Sequence, residues 1–93
     1  MACRLTPTTG AATPAEEDRR LQQAILALLI LEHPAQRSID EVIREMTDRP
    51  DDPMARDAVE NALRDLVAAG LAHRHGAFVF ATRAAIRFDD LST

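Results

Sequence analysis

Residues 53–81, PMARDAVENALRDLVAAGLAHRHGAFVFA, decide the fold of this 93-residue chain. In the first half of the stretch, apolar residues recur at the 3.6-residue spacing of an amphipathic helix. Asp52 is suited to cap the first free N–H groups of that helix, and Gly70 to end it in the left-handed conformation. The pattern therefore predicts a long helix whose inward stripe is Ala55, Ala58, Val59, Ala62, Leu63, Leu66 and Val67.

After Gly70 the apolar period shortens to that of β-strands. Residues 71–74 and 77–81 are predicted to form two strands joined by a tight turn at His75-Gly76, where glycine can take a positive φ. Thr82 is then placed to cap a short final helix. A long helix, a glycine stop, a hairpin and a last helix are expected in that order.

The N-terminal half contains two capping boxes, each of which predicts the start of a helix. The first is Thr13-Pro14-Ala15-Glu16, and its helix should end before Pro34. The second begins at Ser38 and opens a short helix. Residues 1–12 lack periodicity and are predicted to be a flexible arm, with one domain over residues 13–91. The expected fold class is mainly α with a small β-hairpin.

Composition narrows the class of protein. The net charge is −4, Cys3 is the only cysteine, and no apolar run is long enough to cross a bilayer. No signal peptide is recognisable, so we expect a cytoplasmic protein without a membrane partner. No phosphate loop or nucleophile motif occurs, and the pair His73 and His75 lacks a third ligand. The sequence therefore predicts neither an enzyme nor a metal or other cofactor.

Three segments together resemble a winged helix-turn-helix domain. They are Ser38-Ile-Asp-Glu-Val-Ile, the stretch DAVENALRDLVAAGL at residues 57–71, and the hairpin at residues 73–80. The likeness is to small bacterial transcriptional regulators of the MarR-like and PadR-like sort. It implies that the third helix enters the major groove of duplex DNA and that the hairpin, the wing, touches the backbone or minor groove, commonly from a dimer.

Candidate DNA-binding residues follow from that resemblance. On the outward face of the third helix, arginine and asparagine are side chains that can pair with base edges. Around the wing, basic side chains are suited to phosphate. The candidates for reading bases are Arg56, Asn61 and Arg64, and those for holding phosphate are Arg74, His75 and Arg83.

The same region also supports a different function. Glu60 lies four residues from both Arg56 and Arg64, so ordinary surface ion pairs can occupy those two arginines. Asp51, Asp52 and Asp57 stand where phosphate would approach the helix N-terminus. The alternative is a winged-helix protein-interaction module whose acidic third helix binds a basic protein partner, with no DNA binding.

The first helix has apolar residues on more than one side, because Leu26 and Ile30 point away from its main stripe. We expect these two residues to be covered by either the C-terminal segment or another subunit. We expect a homodimer whose interface includes Leu26, Ile30, Ile86, Phe88 and Leu91. For Phe78 and Phe80, closing the core is favoured over stacking on nucleic-acid bases.

Overall fold

The computed structural model describes residues 13–92. The predicted flexible arm, residues 1–12, lies outside that range. The chain is mainly helical with a small antiparallel sheet, as the sequence predicted. Its elements in chain order are α1 (Pro14–Glu32), β1 (Arg37–Ser38), α2 (Ile39–Met46), α3 (Pro53–Ala68), β2 (Ala72–His75), β3 (Phe78–Ala81) and α4 (Arg83–Ser92).

The helices begin at the side-chain caps that the sequence predicted. At the start of α1, the Thr13 hydroxyl accepts from the Glu16 N–H at 3.1 Å, and the Thr13 N–H donates to the Glu16 carboxylate at 2.9 Å. Ser38 and Glu41 repeat this exchange at α2, with the same two distances. Each capping box satisfies N–H groups that a helix start would otherwise leave free. At α3, the Asp52 carboxylate accepts from the backbone N–H two residues later.

The end of α3 forms around Gly70, which has a φ of 79°. The Leu71 N–H donates to the Leu66 carbonyl at 2.9 Å, and the Gly70 N–H donates to the Val67 carbonyl at 3.0 Å. These two bonds are the Schellman arrangement, which satisfies carbonyl groups at a helix C-terminus. The predicted glycine stop is confirmed.

The sheet has three strands in the order β1-β3-β2, so β3 is central. The predicted hairpin is present, but its turn lies at Gly76-Ala77 and β3 begins one residue later than predicted. Gly76 has a φ of 62°, and no other residue of the described loop has a positive φ. Glycine at the first loop position is typical of a type II′ turn. Strand β1, only two residues long, was not predicted from the sequence.

The core is aliphatic and lies between the helices and one face of the sheet. Helices α1 and α3 pack against each other, and β2 and β3 contribute Ala72, Val79 and Ala81. Two members of the predicted α3 stripe, Ala58 and Val67, are exposed instead, because the buried arc of the helix is narrower than predicted. The buried side chains on the helices are Ile25, Leu29, Ile39, Val42, Ile43, Val59, Ala62, Leu63, Leu66 and Ala85.

The phenylalanines of β3 correct an expectation from the sequence. Phe78 and Phe80 do not belong to the core; Phe78 is 46% exposed and Phe80 is half-buried. Along a strand, successive side chains point to opposite faces. Because Val79 and Ala81 take the inner face, both phenylalanines stand on the outer one.

Candidate nucleic-acid interface

Two of the predicted base-reading residues lie side by side on α3. Both Asn61 and Arg64 are exposed, and one guanidinium nitrogen of Arg64 donates to the Asn61 side-chain oxygen at 2.9 Å. The spacing of three residues places the two side chains on the same helix face. They therefore form one polar pair directed toward solvent, with the donor and acceptor groups that base edges recognise.

Arg74, on strand β2 of the hairpin, lies beside this pair. Arg64 and Arg74 border one small cavity of about 110 Å³, together with Leu63 and Val67. Arg74 occupies an inner-face position on β2, opposite Val79, and this position directs it toward α3. Its Nε donates to the Gly76 carbonyl at 3.2 Å. Two guanidinium groups, one from α3 and one from the hairpin, thus share a single surface.

Arg56, the third residue predicted to read bases, makes contacts within the chain. One guanidinium nitrogen donates to the Asp40 carboxylate at 3.0 Å, and the other donates to the Pro50 carbonyl at 3.2 Å. These contacts join α3 to α2 and to the loop between them. Among residues 13–92, neither Arg56 nor Arg64 forms an ion pair with Glu60, although the sequence spacing allowed both.

The remaining two predicted phosphate-binding residues lie apart from Arg64 and Arg74. His75 is on the outer face of the sheet, because it alternates with Arg74 along β2. Arg83, the first residue of α4, borders a second cavity of about 440 Å³. That cavity is lined by His33, Pro34, Gln36, His73, Phe80, Ala81, Thr82 and Arg83.

Acidic side chains surround the exposed face of α3. Asp51 and Asp57 are exposed, and Asp52 caps the helix. In the described part of the chain, the three ion pairs within 4.0 Å are Arg37–Glu32, Arg37–Glu41 and Arg56–Asp40. None of them neutralises an acid of α3. The surface around Asn61 and Arg64 therefore carries both signs of charge.

Three of the five predicted dimer residues border a groove between α1 and α4. Leu26 and Ile30 from α1 and Phe88 from α4 border an apolar groove of about 350 Å³, the α1/α4 groove. The sequence left two alternatives for covering Leu26 and Ile30, the C-terminal segment or another subunit. Within the chain, α4 of the C-terminal segment lies beside these two residues. Ile86 packs partly buried against the core, whereas Phe88 and Leu91 are 71% and 74% exposed.

Other site types find little support in the described residues. Between residues 13 and 92, no group of three His, Cys, Asp or Glu side chains is arranged to hold a metal ion. No helix in that same range is long and apolar enough to span a membrane. No protein-family model, curated protein or solved structure matches this chain.

Sequence reasoning did not bring His33 and Phe80 together with Arg83 around one cavity. The sequence favoured closing the core for Phe78 and Phe80, and His33 lies far from Arg83 in the chain. The one available signal was strand alternation, which places Phe78 and Phe80 on one face and Val79 on the other. Strand alternation assigns these residues to the two faces of the strand but does not indicate which face is buried.

Proposed function

We propose that this chain is a winged-helix DNA-binding protein, a cytoplasmic transcriptional regulator that binds duplex DNA through α3 and the β2–β3 hairpin. The order of helices and strands supports the winged-helix assignment. So does the pairing of the short β1 with β3, which joins the start of α2 to the hairpin. In this arrangement α3 is the helix that enters the major groove.

The observation that carries the proposal is the shared cavity of Arg64 and Arg74. A helix in the major groove and a wing on the flanking backbone must present their cationic groups on one side of the protein. Asn61 and Arg64 have the donors and acceptors for adenine and guanine edges. Arg74 supplies a guanidinium group for phosphate, the main source of DNA affinity.

The test is selection of bound duplexes from a random-sequence pool at low and at physiological salt. We expect enrichment of a motif that persists at physiological salt. Arg64→Ala should relax preference at some positions of that motif. Arg74→Ala should weaken binding about equally on all sequences and flatten the salt dependence by roughly one unit of slope.

Arg56→Ala is the matched control on the same helix. Because its guanidinium group is held by Asp40 and the Pro50 carbonyl, its removal should leave the selected motif unchanged. Duplex affinity that is unchanged in both Arg64→Ala and Arg74→Ala would contradict the proposal.

The unneutralised acids of α3 favour a second candidate function, a protein-interaction module for a basic partner. Carboxylates facing solvent beside the helix start oppose phosphate and attract cationic peptides. The probe is a short arginine-rich peptide. The double variant Asp57→Asn, Glu60→Gln should no longer bind this peptide. Salt-resistant duplex binding together with no peptide binding would exclude this alternative.

We also propose that the regulator is a homodimer joined at the α1/α4 groove. Phe88 and Leu91 are apolar side chains left largely in water beside an apolar depression of the same chain. A two-fold axis near the groove would allow Phe88 of each copy to enter the groove of the other, as an isologous interface requires.

A further inference from the structure

The outer face of the sheet carries two phenylalanines on its central strand, each opposite a histidine. In the β2–β3 register, His75 pairs with Phe78 and His73 pairs with Phe80. We call these four residues the aromatic face. Phe78 is 46% exposed and both histidines are exposed. The helices that form the core pack on the opposite face of the sheet, at Val79.

The ring of Phe80 is held in a defined orientation. Its centroid lies 5.4 Å from that of His73, with the two rings inclined at 72°. This edge-to-face geometry is a favourable arrangement for aromatic pairs. One end of the aromatic face is thus a half-buried ring in contact with His73, and the other end, at Phe78, is open to solvent.

Next to Phe80, the aromatic face borders a cavity that contains hydrogen-bond donors and one arginine. The 440 Å³ cavity beside Phe80 is bordered by His33, Gln36 and Arg83, with no carboxylate in its lining. On the β1 side, Glu32 and Glu41 share the single guanidinium group of Arg37, at 2.9 and 3.5 Å. The part of the aromatic face that suits an anionic chain is therefore the cavity beside Phe80, where Arg83 is present and no acid lines the wall, in contrast to the acidic surroundings of α3.

The spacing of the two rings selects the form of that chain. Two residues along a strand span roughly 6.7 Å, so Phe78 and Phe80 are about that far apart. Stacked bases follow each other at about 3.4 Å along a strand of duplex. Two neighbouring bases can rest on both rings only if they are unstacked from each other. Single strands permit this separation, and duplexes do not.

We propose that the aromatic face binds single-stranded nucleic acid, with bases stacked on Phe78 and Phe80 and the phosphate backbone directed toward Arg83. Sheet faces with aromatic residues on central strands are suited to this use because every base has a flat π-face. The site is separate from the duplex surface, since Arg74 stands on the opposite face of β2 from His73 and His75. This inference goes beyond the proposed function and does not depend on it.

The experiment measures binding of fluorescent oligo(dT) and oligo(U) to the full chain by anisotropy at low salt, beside a random duplex. We expect Phe78→Ala to weaken single-strand binding roughly 5- to 100-fold. Leu31→Ala is the matched control, because that apolar side chain is 78% exposed on α1 and belongs to neither proposed binding surface. Arg83→Ala should reduce the salt dependence of single-strand binding.

The outcomes separate this proposal from the duplex proposal. Phe78→Ala should leave duplex binding unchanged, and Arg64→Ala should leave single-strand binding unchanged. Preference for oligo(U) or oligo(dT) distinguishes RNA from DNA as the natural strand. No retention of either oligomer at low salt, or equal retention by Phe78→Ala and wild type, would overturn the proposal. Loss of self-association in Phe78→Ala would overturn it too, because a second copy would then cover the aromatic face.

Discussion

The hydroxyl of Thr82 donates a hydrogen bond to the main-chain carbonyl of Gly70 at 2.8 Å, and so joins the start of α4 to the end of α3. The same hydroxyl accepts from the Ala85 N–H at 3.2 Å. The Thr82 N–H donates to the Leu71 carbonyl at 3.1 Å. Because Gly70 and Thr82 flank the hairpin in sequence, these bonds close its base and fix where the hairpin leaves the helical layer.

Thr82→Ala should lower the free energy of unfolding by about 1–2 kcal/mol, because it removes a helix cap and a hydrogen bond to a carbonyl. Thr82→Ser retains the hydroxyl and should lose less than half of that. Urea unfolding followed by far-ultraviolet circular dichroism measures both. Equal destabilisation by alanine and serine would show that the methyl group, and not the hydroxyl, is what matters at this position.

Gly70→Ala should lower the free energy of unfolding by about 1–2 kcal/mol, because alanine is strained at a φ of 79°. A Cβ atom at this position would have no neighbour within 4 Å, so the cost arises from the backbone alone. Gly70→Asn should lose less, since asparagine tolerates the left-handed region better. The same urea titration tests this order. A larger loss of unfolding free energy for Gly70→Asn than for Gly70→Ala would contradict it.

The capping box of α2 should make stability depend on pH in the acid range. Hydrogen bonds from the Ser38 backbone and side chain, and then the nearby Arg37, hold the pKa of Glu41 below its ordinary value of 4.5. A carboxyl with a lowered folded-state pKa stabilises the fold fully above its unfolded-state pKa and loses that contribution as pH falls through the folded-state pKa. Its contribution should therefore be complete above about pH 4.5 and decline below it.

Glu41→Gln tests this dependence. The difference in unfolding free energy between wild type and Glu41→Gln should be larger at about pH 7 than at about pH 3. Glu45→Gln is the control, because Glu45 is exposed on the same helix and its side chain forms no capping bond in the described structure. A difference for Glu41→Gln that stays constant over this range would contradict the expectation.

Phe88→Glu should convert the proposed homodimer to a monomer, because it places a charge on the apolar rim of the α1/α4 groove. Sedimentation equilibrium at micromolar concentration measures the mass. Phe78→Glu, on the aromatic face, serves as the control and should remain dimeric. A wild-type protein with the mass of one chain, 10.2 kDa, would refute the dimer.

The features that the sequence predicted best are held by hydrogen bonds between residues close together in the chain. The capping boxes of α1 and α2 and the Schellman end at Gly70 each involve residues within five positions, so the local pattern suffices to place them. Strand β1 and the Arg56–Asp40 contact join residues far apart in sequence. Glu60 was the nearer partner for Arg56 on the helix, and only the packing of α2 beside α3 brings Asp40 within 3.0 Å.

The placement of Phe78 and Phe80 failed for a different reason. A strand has two faces, and the period of two assigns residues to faces without stating which face is buried. Hydrophobicity favoured the two phenylalanines as the buried set. The cross-strand pair of Ala72 and Ala81 took the inner face instead, beside Val79, and its small side chains leave room for the helices to pack closely.

The absence of aromatic residues from the core has an optical consequence. The chain contains no Trp or Tyr and three Phe, so intrinsic tryptophan fluorescence cannot follow its unfolding. All three rings lie outside the core, at Phe78, Phe80 and Phe88. In a protein labelled only at phenylalanine, two ring signals would report on the outer face of the sheet and the third would report on α4. The molecule thus carries its own spectroscopic probes, each outside the hydrophobic core.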